Sequence, residues 1–431
     1  DFTYTNSYSF KDKCILTGYT GTDTELVIAD RSPEGKEIVQ VGANAFKAKT
    51  KLTKVSLPET ITEIGRNAFE DCQGLTNIVI PEGVTSLEYT FYKCKNLTSI
   101  KIPKGVISLK GTFADCTSLT SVEIPEGVTS LDNTFGGCTK LTNVKIPKGV
   151  SGLKDAFSDC TSLTSIEIPE GVYNLNGTFS GCTSLTSVEI PASVTSVEYA
   201  FSGCTNLTNV VIPEGVKSLD HTFYGCTSLT SATIPEGVLN LEYAFSGCTS
   251  LTSAEIPEGV KRLERTFSGC TSLMSVKIPK DAPNMKWTFL NCTSLTSVEI
   301  PEGVTSLEYA FYGCKNLASI ELPESTTSLK GAFWGCTSLT SVEIPKGVTD
   351  SARVFSDCTG LKNVVVREGV TTIGMFAFDG CVNLKGIVIP KSVTEIEQKA
   401  FQSCNKVVFQ VKKGSYAENY AKTNSISFEI M

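Results

Sequence analysis

The chain repeats itself every 22 residues, and that repetition limits its possible folds more than any other feature. Phenylalanines mark the period at Phe46, Phe69, Phe91, Phe113 and Phe135, then onward to Phe355, Phe378 and Phe401, giving 17 repeats. A cysteine follows the Phe by three residues from Cys72 to Cys404. Between Cys72 and Cys358 every step is 22 residues, with no insertion. The flanking repeats run to 23, because "TEIGRNAF" and "TTIGMFAF" keep a residue that inner repeats such as "TSLEYTF" lack. A length of 431 residues would ordinarily suggest two or three globular domains. A fixed period overrides that prior and points to stacked coils.

Within one repeat, "LTSVEI" places Val122 and Ile124 two apart, so a strand would turn both inward and turn Ser121 and Glu123 outward. Proline follows and ends the strand, since it has no N–H to give a ladder. "EGV" then turns the chain, and "VTSL" is a second short extended piece that buries Val128 and Leu131. "TFADC" is expected to make a helical turn with Phe113 and Cys116 on its inner side. A period of this length carrying L-x-x-L-x-L marks a leucine-rich repeat. The expected fold is a repeat solenoid of that type, mainly β with short helical turns. Its about 17 coils of 22–23 residues would form a parallel strand ladder, each coil burying its apolar face only against its neighbours. At roughly 4.8 Å per coil the stack would be a weakly curved rod about 80 Å long.

Stacks need covered ends. Residues 1–40 lack the motif but alternate polar and apolar residues, as in "ELVIAD" and "KEIVQV", and are expected to form an N-terminal β cap. The solenoid is placed at 41–405. Residues 406–431 are expected to close it with a short helix, capped by Ser415 and carrying Tyr416, Tyr420 and Ala421, and a last strand in "SISFEI".

Little points to chemistry. The 38 basic and 45 acidic residues give a formal charge of -7, and no basic cluster could follow a phosphate backbone, so nucleic acid is not expected as a partner. No apolar run is long enough to span a membrane. The opening "DFTYTNSYSF" has no charged-then-apolar leader. The one histidine, His221, stands beside Asp220 without a second histidine to pair with. "GYTGTD" has neither the spacing nor the following helix of a phosphate loop. The carboxylates Glu123, Glu167, Glu189, Glu255 and Glu299 recur with the period, like a solvated ladder rather than an acid–base pair. From Glu299 and Glu302 through Glu321 and Glu324 to Glu343 the same face is more uniformly acidic and could attract a basic partner. The cysteines would form a column of buried free thiols with parallel Cβ vectors, a poor geometry for disulfides and for the tetrahedron that zinc requires. No enzyme activity, cofactor or metal is therefore expected.

One position breaks the monotony. Two residues before the Phe stand Tyr199, His221, Tyr243, Arg265, Trp287 and Tyr309 in six successive coils, with Tyr224, Tyr312 and Trp334 just after it. Planar side chains on a rigid surface commonly anchor protein interfaces, and stacked rings also suit sugars. Tyr199, His221, Tyr243, Arg265, Trp287, Tyr309, Tyr312 and Trp334 are thus the candidate partner-binding residues. A competing reading is that the rings only cover the seam between coils.

The unit "LTSVEIPEGVTSLEYTFSGCTS" resembles the BspA-like, or Treponema-type, leucine-rich repeat. So do the edge repeats "LTKVSLPETITEIGRNAFEDCQG" and "LKGIVIPKSVTEIEQKAFQSC", the opening "ILTGYTGTDTELVI" and the ending "KKGSYAENYAKTN". The resemblance covers essentially the whole chain; the inner repeats depart from it by losing the "IG" residue. It implies a secreted or surface-attached bacterial protein that adheres to host or neighbouring-cell macromolecules, often matrix proteins or epithelial cells. A monomer binding a protein or glycan is expected. The alternatives are a structural stalk and a glycan-binding module that uses the aromatic stripe.

Overall fold

Apolar residues spaced two apart, ended by a proline, fold into the first of three ladders that run from coil to coil. The computed structural model describes residues 1–7, 9, 11–282 and 285–431, which fall into two units, 1–215 and 216–431. Each unit is a parallel β-solenoid.

In the first unit, β1 (Phe2–Asn6) lies antiparallel to β2 (Lys13–Tyr19). β3 (Glu25–Val27) begins the ladder before the proline, and β4 (Glu37–Val41) continues the ladder after the Gly turn. β5 (Lys54–Ser56) and β7 (Asn77–Val79) extend the first ladder, while β6 (Glu63–Ile64) extends the second, all parallel. β2 already pairs in parallel with β4, and the Tyr19 ring lies 6.1 Å from that of Phe46. Tyr19 thus takes the place of a column Phe, and the residues ahead of the first repeat build a coil of their own. Further along, the ladders thin to single bridges such as Lys101↔Glu123, Glu167↔Glu189 and Asn174↔Ser196.

In the second unit, β8 (Ser253–Glu255) pairs with β9 (Ser275–Lys277). β10 (Ser341–Ile344), β11 (Asn363–Val366), β13 (Gly386–Ile389), β15 (Val408–Val411) and β16 (Ser427–Ile430) form one parallel sheet. Beside it, β12 (Thr372–Ile373) pairs with β14 (Glu395–Ile396). α1 (Tyr416–Thr423) separates β15 from β16. The Ser415 side chain accepts the Glu418 N–H at 3.2 Å, and Glu418 in return accepts the Gly414 N–H at 2.6 Å, a reciprocal cap that fixes where α1 starts.

Both cores are columns. Phe46 to Phe201 stack face to face at 5.0–6.0 Å, as do Phe223 to Phe401 at 5.1–5.8 Å. All seventeen cysteines are buried and unbridged. Cys14 lies off the column, in β2, and the first Phe is followed by Lys49 instead of a thiol. One inward position differs from the sequence pattern: Ile124 is buried, but Val122 is only half-buried, as are Ile166, Ala254 and Val276 in its place. Shallow open grooves lie over this position. One of about 830 Å³ runs beside Ile166, and one of about 700 Å³ beside Ala254 and Val276.

Candidate recognition surface

The turn around each Phe is a third ladder. Within the turn, bonds of the helical i→i+3 kind form, as from Cys116 N to Phe113 O at 3.0 Å. Alternate N–H groups reach the next coil instead. His221, Phe223 and Gly225 donate to the carbonyls of Glu242, Ala244 and Ser246 at 3.0, 2.9 and 2.7 Å. Tyr243, Phe245 and Gly247 repeat this one coil on, at 3.0, 2.9 and 2.7 Å. A chain that gives alternate N–H groups sideways cannot lengthen into a helix, so the turns stay short.

This geometry demands positive φ at two positions, two residues before and two residues after each Phe. Every coil meets it, from Asn44 and Ala48 around Phe46 to Lys399 and Ser403 around Phe401. The left-handed conformation costs an ordinary L-residue about 1–2 kcal/mol, and only Gly, Asn and Asp take it readily. The later position follows that rule in every coil but three, those of Ala48, Lys93 and Ser403. In the second unit it reads Gly225, Gly247, Gly269, Asn291, Gly313, Gly335, Asp357 and Gly380 before Ser403. The earlier position in the same coils does not. It holds His221 (φ 51°), Tyr243 (53°), Arg265 (54°), Trp287 (58°) and Tyr309 (51°), then Gly331, Arg353 (56°), Phe376 (58°) and Lys399 (59°). The backbone asks the same thing of both columns, and only one answers with large planar or cationic side chains.

Those side chains stack on one another. His221 lies on Tyr243 at 4.4 Å and 14°, and Trp287 on Tyr309 at 4.1 Å and 9°. The Arg265 guanidinium is held between the two pairs, 5.5 Å from the Tyr243 ring and 5.1 Å from the Trp287 ring. The structure thus brings His221, Tyr243, Arg265, Trp287 and Tyr309 into one pile. Each is half-buried, and Tyr243, Arg265 and Trp287 have a pile neighbour on either side. The pile ends at Gly331, where a Cβ would come 2.3 Å from Cε1 of Tyr309. Tyr312 and Trp334 meet edge to face beside it at 5.1 Å, and the Trp334 indole N–H donates to Asp357 at 3.0 Å. Tyr199 holds the same repeat position in the first unit, at φ 57° and 45% exposed.

Three members escaped the sequence reading, which stopped at Gly331. The Arg353 guanidinium stacks 5.2 Å from Trp334 and 4.4 Å from Phe376, and the Lys399 ammonium sits 5.5 Å from Phe376. Trp334, one residue past its Phe, bridges the gap that Gly331 leaves. Following the same offset past Gly331 would have found them. The first unit has a smaller version, with Arg66 4.1 Å above Tyr89 and Tyr89 packed on Gly111.

The remaining chemical groups are engaged in structure. Column thiols donate to the Phe carbonyl of the preceding coil at 3.0–3.2 Å, as Cys116 does to Phe91 and Cys292 to Phe267. Burial pushes the Cys72, Cys270 and Cys314 thiols up to about 12, and that of Cys116 well above its ordinary value. His221 Nδ1 lies 2.8 Å from the Asp220 carboxylate. Among the described residues, no group of three or more His, Cys, Asp or Glu is placed to hold a metal ion. The acidic stretch is closed at its end by Arg367, which spans Glu324 at 2.7 Å and Glu343 at 2.6 Å. The hydrogen bond from Arg367 holds the Glu343 carboxyl below the usual range. Across one strand groove, Lys277 pairs with Glu255 on the adjacent strand.

Four overlapping spans, 39–155, 109–220, 198–308 and 284–408, match the family described as "BspA type Leucine rich repeat region (6 copies)". A leucine-rich repeat protein from Bacteroides ovatus is 26% identical, covers 96% of this chain and 98% of its own, and superposes with a TM-score of 0.59. A leucine-rich cell surface protein from Faecalibacterium prausnitzii is 26% identical over 99% of this chain and 96% of its own, with a TM-score of 0.37. The leucine-rich repeat protein of T. pallidum is 28% identical over 48% of this chain and 88% of its own, with a TM-score of 0.34. A search of curated proteins returns no match. With the repeat model matched from residue 39 to residue 408, this chain belongs to the BspA-type leucine-rich repeat family.

Proposed function

We propose that the chain is a non-enzymatic recognition protein, secreted or held at a cell surface, that binds a protein partner through the stacked pile of its second unit. One observation carries the reading. In the turns of the second unit, the later left-handed position takes Gly, Asn or Asp in every coil but the last, which has Ser403, while the earlier one takes His, Tyr, Arg, Trp, Phe or Lys in every coil but that of Gly331. Backbone strain kept at one column and avoided at its twin argues that the side chains there serve a purpose. Rings and guanidinium groups on a rigid scaffold are the side chains that most often dominate protein interfaces. The ring faces a sugar would stack on are occupied, so rims meet the partner. The uniform 22-residue step, with no inserted loop, favours a surface over a catalytic cavity. No helix among the described residues is long and apolar enough to cross a membrane. The family context supports an extracellular setting.

The test is binding of the full chain to a panel of host matrix proteins. The control is a triple variant, Tyr243→Asn, Trp287→Asn and Tyr309→Asn; Asn suits the left-handed backbone and already stands there at Asn133. Saturable binding lost in the triple variant supports the reading. Binding that the triple variant leaves unchanged contradicts it.

A further inference from the structure

Among the described residues, no carboxylate lies within ion-pair distance of the pile's cations. Lys13, Lys47, Lys101, Lys277, Arg262 and Arg367 each have a carboxylate within ion-pair distance. Among the described residues, the side chains of Arg265, Arg353 and Lys399 have neither an ion pair nor a hydrogen bond, and Arg265 Nε is buried without a partner. Other cations, such as Lys148 and Lys280, also lack an ion pair among the described residues, but they are exposed; Arg265 and Arg353 differ in being half-buried and held against ring faces. Their partners within the molecule are the faces of Tyr243, Trp287, Trp334 and Phe376. Such contacts orient a guanidinium but leave its N–H groups without acceptors. Ring rims carry the positive edge of the aromatic quadrupole, and Tyr adds O–H donors.

We propose that this face binds an extended acidic segment of a protein, with carboxylates spaced to meet Arg265, Arg353 and Lys399; the proposal rests on the recognition function above. Arg265 and Arg353 are four coils apart, about 19 Å at the usual strand spacing, and Lys399 lies two coils further, about 10 Å. An extended peptide covers these distances in about six and about three residues. Arg–carboxylate contacts are bidentate and strong where the guanidinium is pre-oriented, as it is here by the flanking rings. Three cations so far apart, with aromatic residues between them, fit a segment that mixes acidic and apolar residues. They do not make the unbroken cationic track that a uniform polyanion such as a sulfated glycan follows.

The experiment uses the full chain and a synthetic peptide with three Glu at the spacings given, set among Ser, Thr and Tyr. Its counterpart replaces each Glu by Gln, and a sulfated glycan is run in parallel. The protein variant is Arg265→Asn with Arg353→Asn, a change the left-handed backbone accepts, and its melting temperature verifies the fold. The expected result is binding of the Glu peptide that weakens as the Debye length falls from about 10 Å to about 3 Å on going from about 0.1 M to about 1 M salt. The variant should lose at least about ten-fold in affinity, as a central interface arginine does. Equal binding of the Gln peptide, an unaffected variant, or binding of the sulfated glycan alone would overturn the proposal. A matrix protein lost by the Tyr243, Trp287 and Tyr309 variant but kept by the Arg265 and Arg353 variant would sink the acidic segment alone. The recognition function would then stand.

Discussion

The Sγ of Cys116 lies 3.2 Å from the carbonyl oxygen of Phe91, one coil earlier. That same oxygen accepts the Cys94 N–H at 3.1 Å within its own coil. One carbonyl thus ties a turn to itself and to the next coil. A thiol fits this place because it is small and apolar and yet can donate weakly to an oxygen that would otherwise keep a lone pair unused.

Cys116→Ala removes that donor and leaves a small void. Each effect is modest, and together they should lower the unfolding free energy by about 1–2 kcal/mol. Denaturant titration of variant and parent measures it. Cys116→Ser keeps a donor of similar reach and should lose less.

Alkaline pH attacks the same column. The thiol pKa values are raised by burial in the folded state, so the fold holds its protons where the unfolded chain, near its ordinary value of about 8.5, has released them. This stability is fully present below about pH 8.5 and is lost as pH rises toward about 12, the value reached by Cys72, Cys270, Cys314 and Cys404. Each such thiol costs about 1.4 kcal/mol per pH unit inside that window. Melting temperatures should be flat from about pH 7 to about 8 and fall steeply above about pH 9.

The sequence made the columns and the coil boundaries readable, because Phe, Cys, Leu and Pro recur at fixed offsets and each has one physical use. It marked the offset of His221, Tyr243 and Trp287 as unusual for the same reason. What it hid was backbone conformation. Gly247 and Tyr243 look unrelated as letters, yet both meet a positive φ, and that comparison needs coordinates. The extension through Arg353, Phe376 and Lys399 was hidden by Gly331, which breaks the run of letters while Trp334 carries the contact round it. The half-burial of Val122 was also out of reach, since strict alternation assigns it wholly to the core.

Backbone strain is best tested away from the pile. Ala48 is exposed, with φ of 60°. Ala48→Gly should raise stability by about 1 kcal/mol, against the usual cost of introducing glycine. Gly247→Ala, at φ 77° with ordinary contacts around its new methyl, should lower it by a similar amount. Thermal unfolding of the two variants gives both signs.

Gly331→Ala tests the pile itself. The added methyl would meet the Tyr309 ring, which must move, and Tyr309 lies against Trp287. The emission of Trp287, measured in a Trp334→Phe background, should shift while the melting temperature drops by no more than a few degrees. Unchanged emission would mean that Tyr309 is not packed on Gly331.

The coils are held together by dry columns of Phe and Cys, and counting reactive thiols in the native protein tests this most directly. A small thiol reagent should modify almost none of the seventeen cysteines in the folded chain and all of them once denaturant unfolds it. Rapid labelling of several column cysteines under native conditions would show that water reaches the columns, and the stacked-coil account would fail with them.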